Sequence, residues 1–226
     1  MNERIIFHLQ DYFEVKGYKL KKTSEVIHFR KKFVNGFQEI GMSSSNYYDK
    51  HYLSWGYGKR IDEIEKIMVE LEKCFEPNFF LLRKDSCTYV FSPRLMFNEY
   101  YEQKIEKEQD VIDAVKVIKE FTEKYAFPRF DFLSDIKKVD NEINGNGENF
   151  WLDNEKKKFG IFRFDVRRIV IAKLVKNPEE YRRFTEKLME IEDKRIEQLR
   201  QSDEKNKDLT NWFVPKILGH LEEIVK

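Results

Sequence analysis

"EVIHFRKKFVNGFQEIGMSSS", residues 25–45, decides the fold. Two stretches with alternating apolar and polar residues flank Asn35-Gly36, the dipeptide best suited to a tight two-residue hairpin turn, because both central positions of a type I′ turn require positive φ. A turn centred there predicts that Val34 faces Phe37, Lys32 faces Glu39, Lys31 faces Ile40, Phe29 faces Met42 and Ile27 faces Ser44. One face then gathers Ile27, Phe29, Phe33, Ile40 and Met42, with Lys31 as the exception near the turn.

Outward from the hairpin, "NYYDKHYLSWGYGKR", residues 46–60, holds four of the chain's eleven tyrosines and alternates again from His51. It reads as a third strand of a meander. Leu53, Trp55 and Tyr57 fall on one side and are expected to pack as core beneath the helix that begins near Ile61. Tyr47, Tyr48 and Tyr52 fall in the loop or on the opposite face, near Lys50, His51, Lys59 and Arg60. These seven residues form the candidate partner-binding surface, since tyrosine and arginine dominate binding hot spots.

Before the hairpin, Ile5, Ile6, Leu9, Tyr12 and Phe13 share a helical stripe that Gly17 closes. After it, Ile61, Ile64, Ile67, Met68, Leu71 and Phe75 mark a second helix with acids in its first turn and Pro77 beyond its end. "NFFLLR" and "CTYVFS" read as two more strands, the second ended by Pro93. The remainder is mainly helical. A stripe of Val111, Val115, Ile118, Phe121 and Tyr125 is expected to stop before Pro128. Leu133, Ile136, Val139 and Ile143 suggest a short helix, and "NGNGEN" a loop. Residues 161–175 fit strand or helix, with steps of Phe164, Arg168, Ala172 and Val175 favouring a buried helix. Asn177-Pro178-Glu179-Glu180 then supplies an N-cap, a proline at the first helical position and first-turn acids. A last amphipathic helix uses Leu209, Trp212, Phe213, Ile217, Leu221 and Ile224.

The predicted architecture is a single α+β domain over 1–226. An antiparallel hairpin and meander packed with helices fill 1–98, and a helical extension fills 104–226, joined by a charged, helix-compatible link around Glu99 to Gln109.

The net charge of +1 conceals a gradient: residues 1–60 carry eleven Lys/Arg against six Asp/Glu, and 61–160 carry sixteen against twenty-two. That basic bias is weaker than a dedicated DNA-binding domain shows. Cys74 and Cys87 stand far apart and read as reduced thiols, and the charge-broken N-terminus is neither a signal peptide nor a membrane span, so a cytoplasmic location is expected.

No reaction motif is present. Gly145-Asn146-Gly147 lacks a phosphate-loop context, there is no Gly-x-Ser-x-Gly, and His8, His28, His51 and His220 have no metal-ligand spacing. Glu155-x-Lys157 resembles a nuclease motif, but Glu14-x-Lys16 and Glu102-x-Lys104 match it equally, as a charge-rich chain ensures. Arg163, Arg167 and Arg168 cannot share one helical face to clamp a phosphate. No cofactor and no metal is expected.

"YAFPRFDFLSDIKKVDNEIN" followed by "RRIVIAKLVKNPEEYRRF" is similar in layout to a loose group of uncharacterised bacterial α+β proteins, some of them immunity-like partners of polymorphic toxins. The shared features are an aromatic-Pro start, a short helix, and an apolar helix ending in Leu-x-x-Asn-Pro before another helix. The resemblance covers about a third of the chain, brings no catalytic residue and implies a cytosolic module. The leading expectation is therefore a protein-interaction module, immunity-like, with a protein partner and no membrane. Single-stranded nucleic-acid binding through 46–60 and an enzyme with a dispersed site are the alternatives.

Overall fold

The computed structural model describes residues 2–22, 26–47, 50–75, 85–97, 102–144, 164–202 and 213–225. The expected strand at 78–83, Tyr48, the loop at 145–149, Glu155-x-Lys157, Arg163, Leu209 and Trp212 lie outside them. The architecture is α+β: an N-terminal antiparallel sheet followed by a mostly helical C-terminal half.

Helix α1 (Asn2–Glu14) lays Ile5, Leu9 and Phe13 on the sheet, and Gly17 follows at φ 84° as a left-handed C-terminal residue. Strands β1 (Lys19–Lys22), β2 (Val26–Phe33), β3 (Gly36–Tyr47) and β4 (Lys50–Ile61) then run in order across the sheet. The hairpin forms, but its register differs from the expected one. Phe33 pairs with Gly36, so the two loop residues are Val34 and Asn35. Phe29 faces Ile40, Ile27 faces Met42, and Glu39 faces Arg30, not Lys32.

The physical reason lies on the next strand. Gly36 also pairs with Ile61, at φ 137°, where a Cβ would stand 2.0 Å from the Arg60 carbonyl oxygen, and the Asp62 N–H donates to Asn35 O at 3.0 Å. Glycine is needed at this position for close approach inside the sheet, so the turn moves one residue back. Each partner shifts by two residues, which preserves parity, and Ile27, Phe29, Ile40 and Met42 are all buried on the expected face. Phe33, at the tip, is half exposed.

Helix α2 (Asp62–Lys73) buries Ile64, Met68 and Leu71 as its stripe requires. Strand β5 (Tyr89–Phe91) pairs with β4 at Tyr57–Lys59. Pro93 opens a short helix α3 (Pro93–Phe97), its missing N–H falling in the first turn where it costs nothing. The link expected to be helix-compatible contains strand β6 (Gln103–Ile105), which pairs with β4 at His51–Leu53 and covers more of the edge that β5 begins.

Helix α4 (Glu108–Phe121) does not stop before Pro128. A π-helical turn, Thr122–Ala126, carries it into α5 (Phe127–Phe132), so that Phe127 N–H bonds back to Thr122 O and proline enters at the start of a new segment. Thr122 Oγ1 donates to Ile118 O at 2.6 Å and accepts from the Tyr57 hydroxyl at 3.0 Å. Tyr57 stacks on Phe91 and Phe121 and meets Phe130 edge-on. The buried row Leu53, Trp55, Tyr57 is core as expected, but around Tyr57 the cover comes from α4 and α5. Helix α2 lies against the later helices Phe164–Val175 and Phe213–Ile224.

Helix α6 (Ile136–Asn144) follows, then α7 (Phe164–Val175), α8 (Pro178–Ser202) and α9 (Phe213–Ile224). Val166 to Ala172 are buried on every side of α7, as in a helix enclosed by its neighbours. Its two arginines diverge: Arg167 reaches Glu65 on α2, while Arg168 donates to Asn144 on α6. The expected cap of α8 is present, with Glu180 N–H donating to Asn177 Oδ1 at 3.0 Å. Among the described residues no helix is long and apolar enough to cross a membrane.

Candidate partner-binding site

Strand β4 carries five of the seven residues nominated from sequence, with Tyr47 opposite its start and Tyr48 beyond the described residues. The structure divides them. Lys50 and His51 are exposed at one end, where His51 Nδ1 shares a hydrogen bond with Asn46 Oδ1 at 2.5 Å, and Tyr52 is half buried beside Lys104 of β6. For Tyr47 the backbone pairing with Lys50 is described. Lys59 and Arg60 lie at the other end, about 30 Å away at the rise of an extended strand.

Nor are Lys59 and Arg60 free surface cations. Arg60 donates to Asp62 Oδ1 at 2.6 Å and to Ser86 O at 2.9 Å. Lys59 continues the alternation of Leu53, Trp55 and Tyr57 and is therefore on the core face, only 8% exposed. Its Nζ donates to Phe130 O at 2.8 Å and to Ser134 Oγ, at the C-terminal end of α5. Both acceptors are neutral. Burial pulls its ammonium down to about 8, with the Asp131 carboxylate acting the other way.

Around this end of the sheet lies a cavity of about 550 Å³, within the range of ligand and side-chain pockets. Phe33, Val34, Phe37, Ile61 and Ile136 supply apolar walls, and Gln38, Lys59 and Ser134 supply polar ones. The hairpin register builds it, because Lys31, Gln38 and Lys59 stand in one row across β2, β3 and β4. Gln38 is held by the Tyr18 hydroxyl at 2.9 Å. At the rim Val34 is 97% and Phe33 47% exposed, an apolar pair at a hairpin tip where polar residues are the rule.

The opposite face of the sheet holds a polar cluster. Arg30 Nε and Nη2 donate to Glu39 Oε2 at 2.8 and 2.5 Å, and His28 Nδ1 lies 3.5 Å from Oε1. Burial alone would raise the Glu39 carboxyl, but His28 and Arg30 hold it below its ordinary value. Cys87 Sγ is 3.8 Å from Glu39 Oε1, and burial, reinforced by that carboxylate, pushes its thiol far up. Burial thus favours the protonated thiol, and the cluster is built on the Arg30–Glu39 ion pair with His28 and Cys87 beside it.

A second cavity, of about 540 Å³, lies beside Tyr181, but its Lys173, Lys176 and Arg182 each pair with a carboxylate. Among the described residues no group of three or more His, Cys, Asp or Glu could hold a metal ion. Among the described residues that line the turn-end cavity only Glu63 is acidic, and it is exposed. The converging acids of a hydrolytic site are not assembled there.

The nominated residues thus fall at the two ends of β4, and the alternation placing Lys59 in the Leu53, Trp55, Tyr57 row was readable in the sequence. Scans of protein-family models and searches of curated proteins and of solved structures found no match to this chain.

Proposed function

We propose that the chain is a protein-interaction module, immunity-like in layout, that acts by binding and has no reaction of its own. Its contact surface is the turn end of the sheet, the rim formed by Phe33 and Val34 around the cavity. The observation that carries this reading is the exposure of that apolar pair above an apolar-walled recess. Exposed apolar side chains cost solubility and gain nothing for folding, whereas a partner that covers them recovers their burial free energy.

The test is affinity capture from the source organism with three baits: the wild-type chain, Phe33→Ser with Val34→Lys, and Lys50→Ala with His51→Ala and Tyr52→Ala. The tip variant is expected to retain the wild-type melting temperature within a few degrees and lose the captured protein. Loss with the Lys50/His51/Tyr52 variant and retention with the tip variant would return the surface to the far end of β4.

A further inference from the structure

Resting on that reading, we propose that the partner segment seated at the turn end presents an acidic side chain flanked by apolar residues, whose carboxylate enters the cavity and becomes the counter-ion of Lys59.

Three observations carry this. Lys59 Nζ is buried with two neutral oxygen acceptors, Phe130 O and Ser134 Oγ, and no carboxylate bonded to it among the described residues. Ser134 Oγ itself donates to Phe130 O at 2.9 Å, so its hydrogen is committed and it can only accept from the lysine. With two of its three N–H groups placed in this way, the ammonium has one donor left, and Lys59 is part of the cavity wall. A carboxylate there would form a charge-assisted hydrogen bond with a lysine that is only 8% exposed.

The second observation is the company Lys59 keeps. Lys31, in the same cross-strand row, directs its Nζ at the Phe33 and Tyr18 rings, 5.6 and 5.8 Å from their centroids, and Lys32 is exposed beside the tip. Neither makes an ion pair among the described residues. The remaining charged groups are Arg60, already paired with Asp62, the exposed Glu63, and Asp131 on α5. The rim is thus apolar with an excess of unpaired positive charge, which is complementary to an acidic and apolar segment and repels a basic one.

Third, three other buried or half-buried cations are answered by carboxylates. Arg167, Lys176 and Arg30 each have a carboxylate within 2.7 Å. Lys59 differs from these three, and it stands where a cavity meets an exposed apolar rim.

The experiment uses the full chain, with lysine side-chain resonances followed by NMR, and two blocked synthetic peptides: a glutamate between leucines and its glutamine counterpart. The glutamate peptide is expected to bind at least tenfold more tightly at pH 7 and to move the Lys59 resonance. In Lys59→Met that advantage disappears. In the wild-type chain, which needs no substitution, it falls as pH rises above about 8, because the free ammonium loses its proton there while the carboxylate is unchanged. Equal affinities, no binding of either peptide, or an advantage that survives Lys59→Met would overturn the inference. If the tip variant loses the captured partner while the two peptides bind alike, the protein-binding reading stands and the acidic contact falls. If capture ignores the tip variant but the glutamate peptide selects Lys59, the carboxylate site stands and the docking surface is misplaced.

Discussion

Arg167 and Lys59 are both buried cations, and the molecule treats them differently. At the seam between α2 and α7, Arg167 is fully buried and its guanidinium meets Glu65 in a two-pronged contact, Nε to Oε1 at 2.7 Å and Nη2 to Oε2 at 2.8 Å. At the turn end of the sheet, Lys59 has a carbonyl and a hydroxyl and opens on a cavity. The first arrangement is closed: both charges are answered, the geometry is fixed, and residues 102 apart in sequence are locked together. The second is open, with a buried charge to which no carboxylate is bonded among the described residues. A closed pair has structural meaning; an open one invites a ligand.

The largest effect expected from this contrast is at the closed pair. Arg167→Ala strands the Glu65 carboxylate in the core and should cost about 3–5 kcal/mol in chemical denaturation. Glu65→Leu combined with Arg167→Met, which removes both charges and keeps the volume, should recover most of that loss. A double variant no better than the single one would show that α2 and α7 depend on the ion pair itself for their packing.

A smaller effect, of a different kind, is expected at the open site. Lys59→Met removes a desolvated charge and leaves Phe130 O still bonded by Ser134, so stability at pH 7 should change by no more than about 1 kcal/mol, in either direction. The pH dependence carries the information. Because the folded-state value of Lys59 is depressed below its ordinary 10.5, the unfolded chain binds more protons between about 8 and 10.5, and the Lys59 contribution to stability rises with pH across that window. Melts at pH 7.5 and 9.5 should show this increment in the wild-type chain and not in Lys59→Met. A loss approaching that of Arg167→Ala would mean that Lys59 is a structural cap of α5, as closed in its way as Arg167.

Much of the fold was legible because periodicity is robust to small errors. The hairpin register moved by two residues, yet Ile27, Phe29, Ile40 and Met42 kept their face, since a shift of two preserves alternation. What local pattern could not supply was long-range: that Arg60 O crowds Gly36, that the three-residue segment Gln103–Ile105 pairs along the β4 edge, and that a π-helical turn admits Pro128 without ending the helix. The site was half legible. Lys31 showed as a charged residue on an apolar face, and the same alternation places Lys59 there too. Reading Lys59 and Arg60 with the neighbouring tyrosines, as one basic and aromatic surface, hid the fact that a strand of twelve residues has two distant ends. The Glu65–Arg167 pair left no local trace, because neither residue's neighbours announce the other.

The most direct measurement is the titration of Lys59 itself, by carbon-13 NMR of its ε-methylene with the resonance assigned through Lys59→Arg. A midpoint of about 8 in the free chain is expected, moving upward when the glutamate peptide is added and staying put with the glutamine one. A midpoint in the ordinary lysine range near 10.5, unmoved by either peptide, would contradict the open site and with it the place assigned to the partner's acidic side chain.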